Sequence, residues 1–128
     1  MKLLLDTHVL VWWLYKPELL SVPARKAINS GDNRLFVSAV SAYEIAAKHR
    51  LGKWPEVAEL TREFDDILVS QSITSVPIAS HQARMAALFH AEHRDPFDRL
   101  LAAQALSEEF HLITRDPVFA HFGVLTIW

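Results

Sequence analysis

KLLLD, residues 2–6, is an apolar run of strand length that ends in a carboxylate, and it decides the fold class of the chain. Four further apolar runs follow at residues 34–38, 75–78, 111–114 and 124–128. These runs are apolar on both faces instead of alternating, a pattern typical of parallel strands that helices cover on both sides. Because Pro77 has no N–H to donate, we expect the third run to be a short or edge strand.

Helical segments separate these runs and carry recognisable start and stop signals. We predict helices that begin after caps at Ser21, at Ser38 or Ser41, at Ser80 and at Asp95, and another over residues 57–70. The first should end near Gly31, the second at Leu51-Gly52 and the Ser80 helix near residue 91. This alternation predicts an α/β, three-layer fold: a central, mostly parallel sheet of roughly four to five strands, flanked by helices.

Length and composition restrict the class of protein. The chain has 128 residues, 51% of them apolar and 22% charged, and we expect residues 1–128 to form a single domain. It has no cysteine, which excludes disulfides and thiolate metal sites. The formal net charge of −2 gives no overall basic surface, so contact with nucleic acid needs a local basic patch or a bound cation. The most apolar stretch, residues 3–14, is shorter than the roughly 20 residues of a membrane span, so we expect a cytoplasmic protein without membrane contact.

Four carboxylates are predicted to meet at one edge of the sheet, where loops and helix N-termini gather beyond the carboxyl ends of parallel strands. Asp6 ends the first run, and Glu44 lies on the helix after the second. Asp98 lies in the first turn of the helix that Asp95 opens, and Asp116 follows the fourth run. Such acids repel one another unless a cation or protonation intervenes. Oxygen ligands alone favour Mg²⁺ or Mn²⁺.

Structural alternatives exist for these acids. Glu44 lies four residues before Lys48, the spacing of an ordinary helix-surface ion pair. Asp95 has the position of a helix cap, and Asp98 could be its reciprocal capping-box partner. Asp116 precedes a proline and could simply start a turn. The joint placement of the acids, more than any one of them, therefore points to a site.

Histidines, basic residues and tryptophans give weaker signals. The seven histidines are scattered without zinc-motif spacing, so we expect them at the surface or in the core. Four basic residues near the acids could contact phosphates: Lys48, Arg50, Arg99 and Arg115. For any one of them, local ion pairing is the simpler role. The segment containing Trp12 and Trp13 is apolar nearly all round, which predicts a helix that is buried or pressed against a partner.

Four segments carry a family resemblance: MKLLLDTHVLVWWL at residues 1–14, SAYEIAAKHRLGK at 41–53, RDPFDRLLAAQA at 94–105 and LITRD at 112–116. Together, and in this order, they resemble the PIN domain and more narrowly the VapC-type toxins of bacterial toxin–antitoxin pairs. The resemblance covers essentially the whole chain, and none of the acidic positions departs from the family pattern.

This resemblance implies an endoribonuclease that depends on Mg²⁺ or Mn²⁺ and uses four catalytic acids, Asp6, Glu44, Asp98 and Asp116. Thr114 falls where the family often has a supporting hydroxyl. The family also implies an RNA substrate, a homodimer and an antitoxin that blocks the site, which we expect to pack near Trp12, Trp13 and residues 57–70. On chemical grounds, a divalent ion held by Asp6, Asp98 and Asp116 would polarise the scissile phosphate, with water as the nucleophile and 5′-phosphate ends on the products.

Alternative functions stay open from the sequence. A PIN-like module could bind RNA or a partner without cleaving it. A phosphoacceptor receiver domain shares the fold class, but it should have a late lysine, and no lysine follows Lys53. A structure-specific DNA nuclease of related fold is generally larger than this chain.

Overall fold

The computed structural model describes residues 1–128 and is built on one parallel five-stranded sheet. Its strands are β1 (Lys2–Leu5), β2 (Arg34–Ser38), β3 (Ile73–Val76), β4 (His111–Ile113) and β5 (Thr126–Ile127). Their order across the sheet is β3-β2-β1-β4-β5. Leu4 of β1 pairs with Phe36 of β2 on one side and Leu112 of β4 on the other. The first apolar run is therefore the central strand, and burial on both faces explains its composition.

Helices connect the strands and cover both faces of the sheet. They are α1 (Thr7–Tyr15), α2 (Val22–Asn29), α3 (Ala39–Arg50), α4 (Ala58–Arg62), α5 (Phe64–Ser70), α6 (Ser80–Leu88) and α7 (Pro96–Ser107). Three short 3₁₀ segments lie at Pro17–Leu19, Pro55–Val57 and Pro117–Phe122. None of these helices has the length and apolar character that crossing a membrane requires.

Two cores, one on each face of the sheet, confirm the predicted three-layer architecture. Successive side chains of a strand point to opposite faces, so Leu3 and Leu5 lie in one core and Leu4 lies in the other. The first core also contains buried side chains of α1, α2, α3, α4 and α5. In the second core, Leu101 of α7 and Phe119 of the last 3₁₀ segment pack against Leu4. Leu3, Leu4, Leu5, Leu101 and Phe119 are all fully buried.

Element boundaries differ from the prediction in several places. The third strand covers residues 73–76 instead of 75–78 and lies at the sheet edge, as Pro77 indicated. The predicted helix over residues 57–70 is divided at Glu63 into α4 and α5, although no glycine or proline marks the break. Ser38, not Ser41, caps α3: its hydroxyl accepts a hydrogen bond from the Val40 N–H. Ser80 does not cap α6 either, because it is the first helical residue and Ala79 occupies the cap position. The Ala79 N–H donates to the Gln82 side chain at 2.9 Å.

Candidate active site

A cavity of about 440 Å³ opens beyond the carboxyl ends of the central strands, and we call it the acidic cavity. The four acids singled out in the sequence all line it, together with Asp95. They reach it from four separate parts of the chain: the end of β1, helix α3, the start of α7 and the loop after β4. The predicted convergence of carboxylates at one edge of the sheet is therefore present in the structure.

Asp6 is held in place at the junction of β1 and α1. Its backbone N–H donates to the Ile113 carbonyl at 3.1 Å, which extends the β1–β4 pairing by one residue and brings Thr114 alongside. The Thr7 N–H donates to Oδ1 of Asp6 at 2.7 Å, and the Thr114 hydroxyl donates to Oδ2 at 2.7 Å. Burial raises the pKa of Asp6 above its ordinary value, the Thr114 hydrogen bond opposes that rise, and Glu44 adds to it.

Asp98 occupies the first turn of α7, behind the cap that Asp95 provides by accepting a hydrogen bond from the Phe97 N–H. Asp98 does not form the capping box considered for it, because no hydrogen bond joins its side chain to the Asp95 N–H. Its Oδ2 accepts a hydrogen bond from Nε2 of His93 at 2.7 Å instead. Burial raises the pKa of Asp98 to about 6, the His93 hydrogen bond opposes this shift, and the charges of Asp95 and Asp6 add to it.

Glu44 and Asp116 combine structural contacts with a place in the cavity. Glu44 forms the expected helix ion pair with Lys48, at 2.9 Å, and both residues line the cavity. Asp116 caps the last 3₁₀ segment by accepting a hydrogen bond from the Val118 N–H at 3.0 Å. Its own N–H donates to the Thr114 hydroxyl at 3.1 Å, so Thr114 contacts two of the predicted site acids.

Two histidines belong to this region, which corrects the expectation that all seven lie outside it. The ligand atoms of His93, Asp95 and Asp98 lie within 4.8 Å of one another and could hold a metal ion. His93 lies in the loop before α7, where no hydrophobic periodicity indicates the direction of a side chain. His8 lines the cavity from the first turn of α1, and burial together with the charge of Lys48 lowers its pKa below the ordinary value. In the sequence, only the position of His8 two residues after Asp6 indicates that it belongs to the site.

The basic residues divide into two groups. Lys48 and Arg115 line the cavity, with Lys48 Nζ 4.6 Å from the ring centre of Trp54 and the Arg115 guanidinium 5.2 Å from that of Trp12. Arg50 is exposed at the end of α3, outside the cavity. The phosphate contact expected of Arg99 is contradicted, because its guanidinium points away from the cavity and donates to backbone carbonyls.

The donor set of the cavity fits a divalent cation. Five carboxylates line it, against only Lys48 and Arg115 as fixed positive charges. The pKa values of Asp6 and Asp98 are both raised by burial, and neighbouring carboxylates raise them further. A bound cation relieves this repulsion, and oxygen donors are those that Mg²⁺ and Mn²⁺ prefer.

The fold and the acidic cavity define a parallel α/β domain with carboxylates gathered at the strand ends. The PIN domain profile matches residues 3–125, and the chain belongs to the PIN domain family. It is 32% identical over 131 residues to Ribonuclease VapC22 of Mycobacterium tuberculosis, an alignment that covers 98% of this chain and 97% of that protein.

Solved structures support the same fold. The chain superimposes on VapBC2 of Rickettsia felis, solved bound to a DNA fragment from its promoter, with a TM-score of 0.68, 17% identity and coverage of 98% of this chain and 97% of that one. VapBC-1 of nontypeable Haemophilus influenzae gives a TM-score of 0.69 at 14% identity, covering 98% of this chain and 96% of that one. At these identities the likeness concerns the fold.

Proposed function

We propose that this protein is an endoribonuclease toxin of the VapC type, which hydrolyses RNA phosphodiester bonds with the help of Mg²⁺ or Mn²⁺. The observation that carries the proposal is the meeting of Asp6, Glu44, Asp98 and Asp116 in one cavity. Kinship with a VapC ribonuclease over nearly the full length of both chains supports the same activity.

In this proposal Asp6, Asp98 and Asp116 hold the cation. When bound there, a divalent ion supplies charge stabilisation at the scissile phosphate and lowers the pKa of the attacking water. Thr114 fixes the orientation of Asp6 through its 2.7 Å hydrogen bond. Glu44 faces the same space and can accept a hydrogen bond from the water, since its pairing with Lys48 leaves one carboxylate oxygen without a partner.

RNA phosphates would meet Lys48 and Arg115, the two cations that line the cavity. Arg115 is exposed and lies within 4.0 Å of no carboxylate, so its charge is available to a substrate. Between these cations runs a row of aromatic rings: His8 lies 5.6 Å from Trp12 and 5.1 Å from Trp54, centre to centre. Aromatic rings beside cations suit unpaired bases, which favours single-stranded RNA as the substrate. A phosphate contact of Arg50, which is exposed at the end of α3, would lie outside the cavity.

Two protein partners complete the proposal. An antitoxin would cover the half-buried side chains of Trp12 and Trp13 and the neighbouring helices α4 and α5, and a second copy of the chain would form a homodimer. Trp12→Glu or Trp13→Glu should then weaken antitoxin binding in a pull-down from cells that express both proteins. Unchanged capture by folded variants would show that the antitoxin uses another surface.

Cleavage of RNA in the presence and absence of metal tests the proposed activity. The purified protein is incubated with total RNA and labelled tRNA in Mg²⁺, Mn²⁺ or EDTA, beside Asp6→Asn and Asp98→Asn. Asp65→Asn, which removes an exposed carboxylate on α5, is the matched control. We expect metal-dependent cleavage that both site variants abolish and the control retains, with 5′-phosphate ends on the products.

Other outcomes would contradict the proposal. Cleavage that persists in EDTA and in both site variants points to a contaminant. Products with 2′,3′-cyclic phosphate ends exclude water as the nucleophile. Tight RNA binding without cleavage, in cells as well as in vitro, would favour the alternative of a PIN-like binding module.

A further inference from the structure

Arg99 has every donor of its guanidinium occupied by the backbone of one short segment. Nε donates to the Ala86 carbonyl at 2.9 Å, and the two terminal nitrogens donate to four more carbonyls. Those four acceptors, at 2.6–3.3 Å, are the carbonyls of Ala87, Phe89, Ala91 and His93. An arginine has five N–H groups in a planar fork, so no donor is left over.

These contacts shape the loop that leads to the acidic cavity. Ala86 and Ala87 belong to the last turn of α6, whose final carbonyls have no partner within the helix. Phe89, Ala91 and His93 continue the chain around the guanidinium toward α7. Because all five carbonyls bind the same guanidinium, residues 86–93 are held in one fixed path.

His93 is the residue that this path brings into contact with Asp98, which lines the cavity. Its carbonyl accepts from Arg99 at 2.9 Å, while its Nε2 donates to Oδ2 of Asp98 at 2.7 Å. The ring also packs edge-on against Phe122, centre to centre 6.2 Å. The backbone, the ring and the ring nitrogen of His93 are therefore each restrained by a different neighbour.

Asp98 and Arg99 are consecutive residues of α7 with different contacts. Neighbouring positions on a helix point about 100° apart, so Asp98 faces the cavity while Arg99 faces the end of α6. The two side chains are nevertheless linked through the loop, because the segment that Arg99 holds carries the histidine that contacts Asp98.

We propose that His93 and Arg99 are positioning residues for the cation site: Arg99 fixes the 86–93 backbone, and His93 thereby fixes the carboxylate of Asp98 through one of its oxygens. This inference rests on the proposed role of Asp98 as a metal ligand. With Oδ2 engaged by His93, Oδ1 is the oxygen left to bind the ion. Hydrogen-bond partners of ligating groups typically contribute about 10–100-fold in metal affinity.

Metal titration of the whole protein tests the role of His93. Mg²⁺, Mn²⁺ and Ni²⁺ are titrated by isothermal calorimetry into the untagged wild type, His93→Phe and His93→Gln. Phenylalanine keeps the ring and its packing but removes the donor, whereas the glutamine amide can replace the lost N–H. His90→Phe is the matched control, since His90 is exposed in the same loop and, unlike His93, forms no hydrogen bond to a carboxylate.

We expect His93→Phe to weaken binding of all three ions by a similar factor of about 10–100, and His93→Gln to restore most of it. His90→Phe should leave the affinities unchanged. If His93 were itself a ligand, the loss would be far larger for Ni²⁺ than for Mg²⁺, and glutamine would not restore it. That result, or affinities unaffected by His93→Phe, or a wild type that binds none of the ions, would overturn the proposal. Because the readout is binding, absence of RNA cleavage alone would contradict only the proposed activity.

The proposed role of Arg99 is tested by Arg99→Lys. Lysine keeps the positive charge but lacks the planar guanidinium with its five N–H donors. We expect the exposed bond after Arg94 to be cut several-fold faster by trypsin, and metal affinity to fall as it does in His93→Phe. In the double variant the two losses should not add, because both act through the same hydrogen bond. Fully additive losses, or unchanged trypsin cleavage in Arg99→Lys, would refute the link between them. Should Arg99→Lys fail to fold, the comparison of His93→Phe with His93→Gln still tests whether His93 positions Asp98.

Discussion

Replacing Asp98 with asparagine should stabilise the metal-free protein at neutral pH. Burial raises the pKa of Asp98 from 3.8 to about 6, which means that folding disfavours the charged carboxylate. A rise of about 2 in pKa corresponds to about 3 kcal/mol. Since 21% of the side chain remains exposed, solvent screening reduces this, and we expect a gain of about 1–2 kcal/mol in the free energy of unfolding.

The sign of the pH dependence follows from the direction of the shift. Between pH 4 and pH 6 the folded protein binds the Asp98 proton more tightly than the unfolded chain does. The free energy of unfolding of the wild type therefore falls as pH rises through this range, and it stays at the lower value above it. The asparagine of the Asp98→Asn variant has no such titration but still offers an oxygen to His93, so the two proteins should converge near pH 4.

Urea unfolding in EDTA, at several pH values from 4 to 8, measures this difference. Asp65→Asn controls for the change in net charge, since Asp65 is exposed on α5. Addition of Mg²⁺ should reverse the order at pH 7.5, because the wild type, with a charged carboxylate at position 98, binds the cation more tightly than the variant does. An asparagine variant less stable than wild type in EDTA at pH 7.5, or a difference independent of pH, would refute the reasoning.

Further predictions concern the supporting hydroxyl of Thr114, the two basic residues that line the cavity, and the core. Thr114→Val should lower the free energy of unfolding, measured with urea, by about 1–3 kcal/mol. It leaves Oδ2 of the buried Asp6 and the Asp116 N–H without the hydroxyl that both contact. Thr114→Ser keeps that hydroxyl and should stay close to the wild type. Lys48→Gln and Arg115→Gln should raise KM for RNA with little change in kcat. Each should reduce the slope of log KM against log salt concentration by about 0.7, because one phosphate contact is lost. An unchanged slope would show that the RNA phosphates do not contact these residues. Leu4→Ala, at the fully buried centre of β1, should cost about 2–5 kcal/mol by the same unfolding assay; a loss below about 1 kcal/mol would contradict the two-core packing.

Patterns local in sequence were enough to predict the sheet and the convergence of its acids. Asp6 interrupts an apolar run that had to be buried, so its position at a strand end followed from the run itself. The break at Glu63 could not be predicted, because residues 58–70 contain neither glycine nor proline and their apolar spacing suits one continuous helix. Leu60 and Leu68 pack into the same core, one from each of the two short helices.

Directions of side chains in loops were beyond the sequence for a different reason. Arg99 stands beside an acid, which suggested a phosphate contact, yet the carbonyls it binds come from a helix end that only tertiary structure brings near. His93 could not be assigned to the site, because its approach to Asp98 depends on that same arginine. One tertiary contact therefore accounts for both errors.

Two acids of the cavity, Asp6 and Asp98, share an arrangement that bears on cation binding. Asp6 and Asp98 each lose hydration through burial, which raises their pKa values. Each also accepts one side-chain hydrogen bond at 2.7 Å, from Thr114 and His93 respectively, which opposes that rise. Because such a donor favours the charged form, it offsets part of the free energy that ionisation of a buried carboxylate requires. A bound ion must offset the rest of that free energy. Variants that remove either donor increase the amount the ion must offset, so we expect them to lose metal affinity while they still fold.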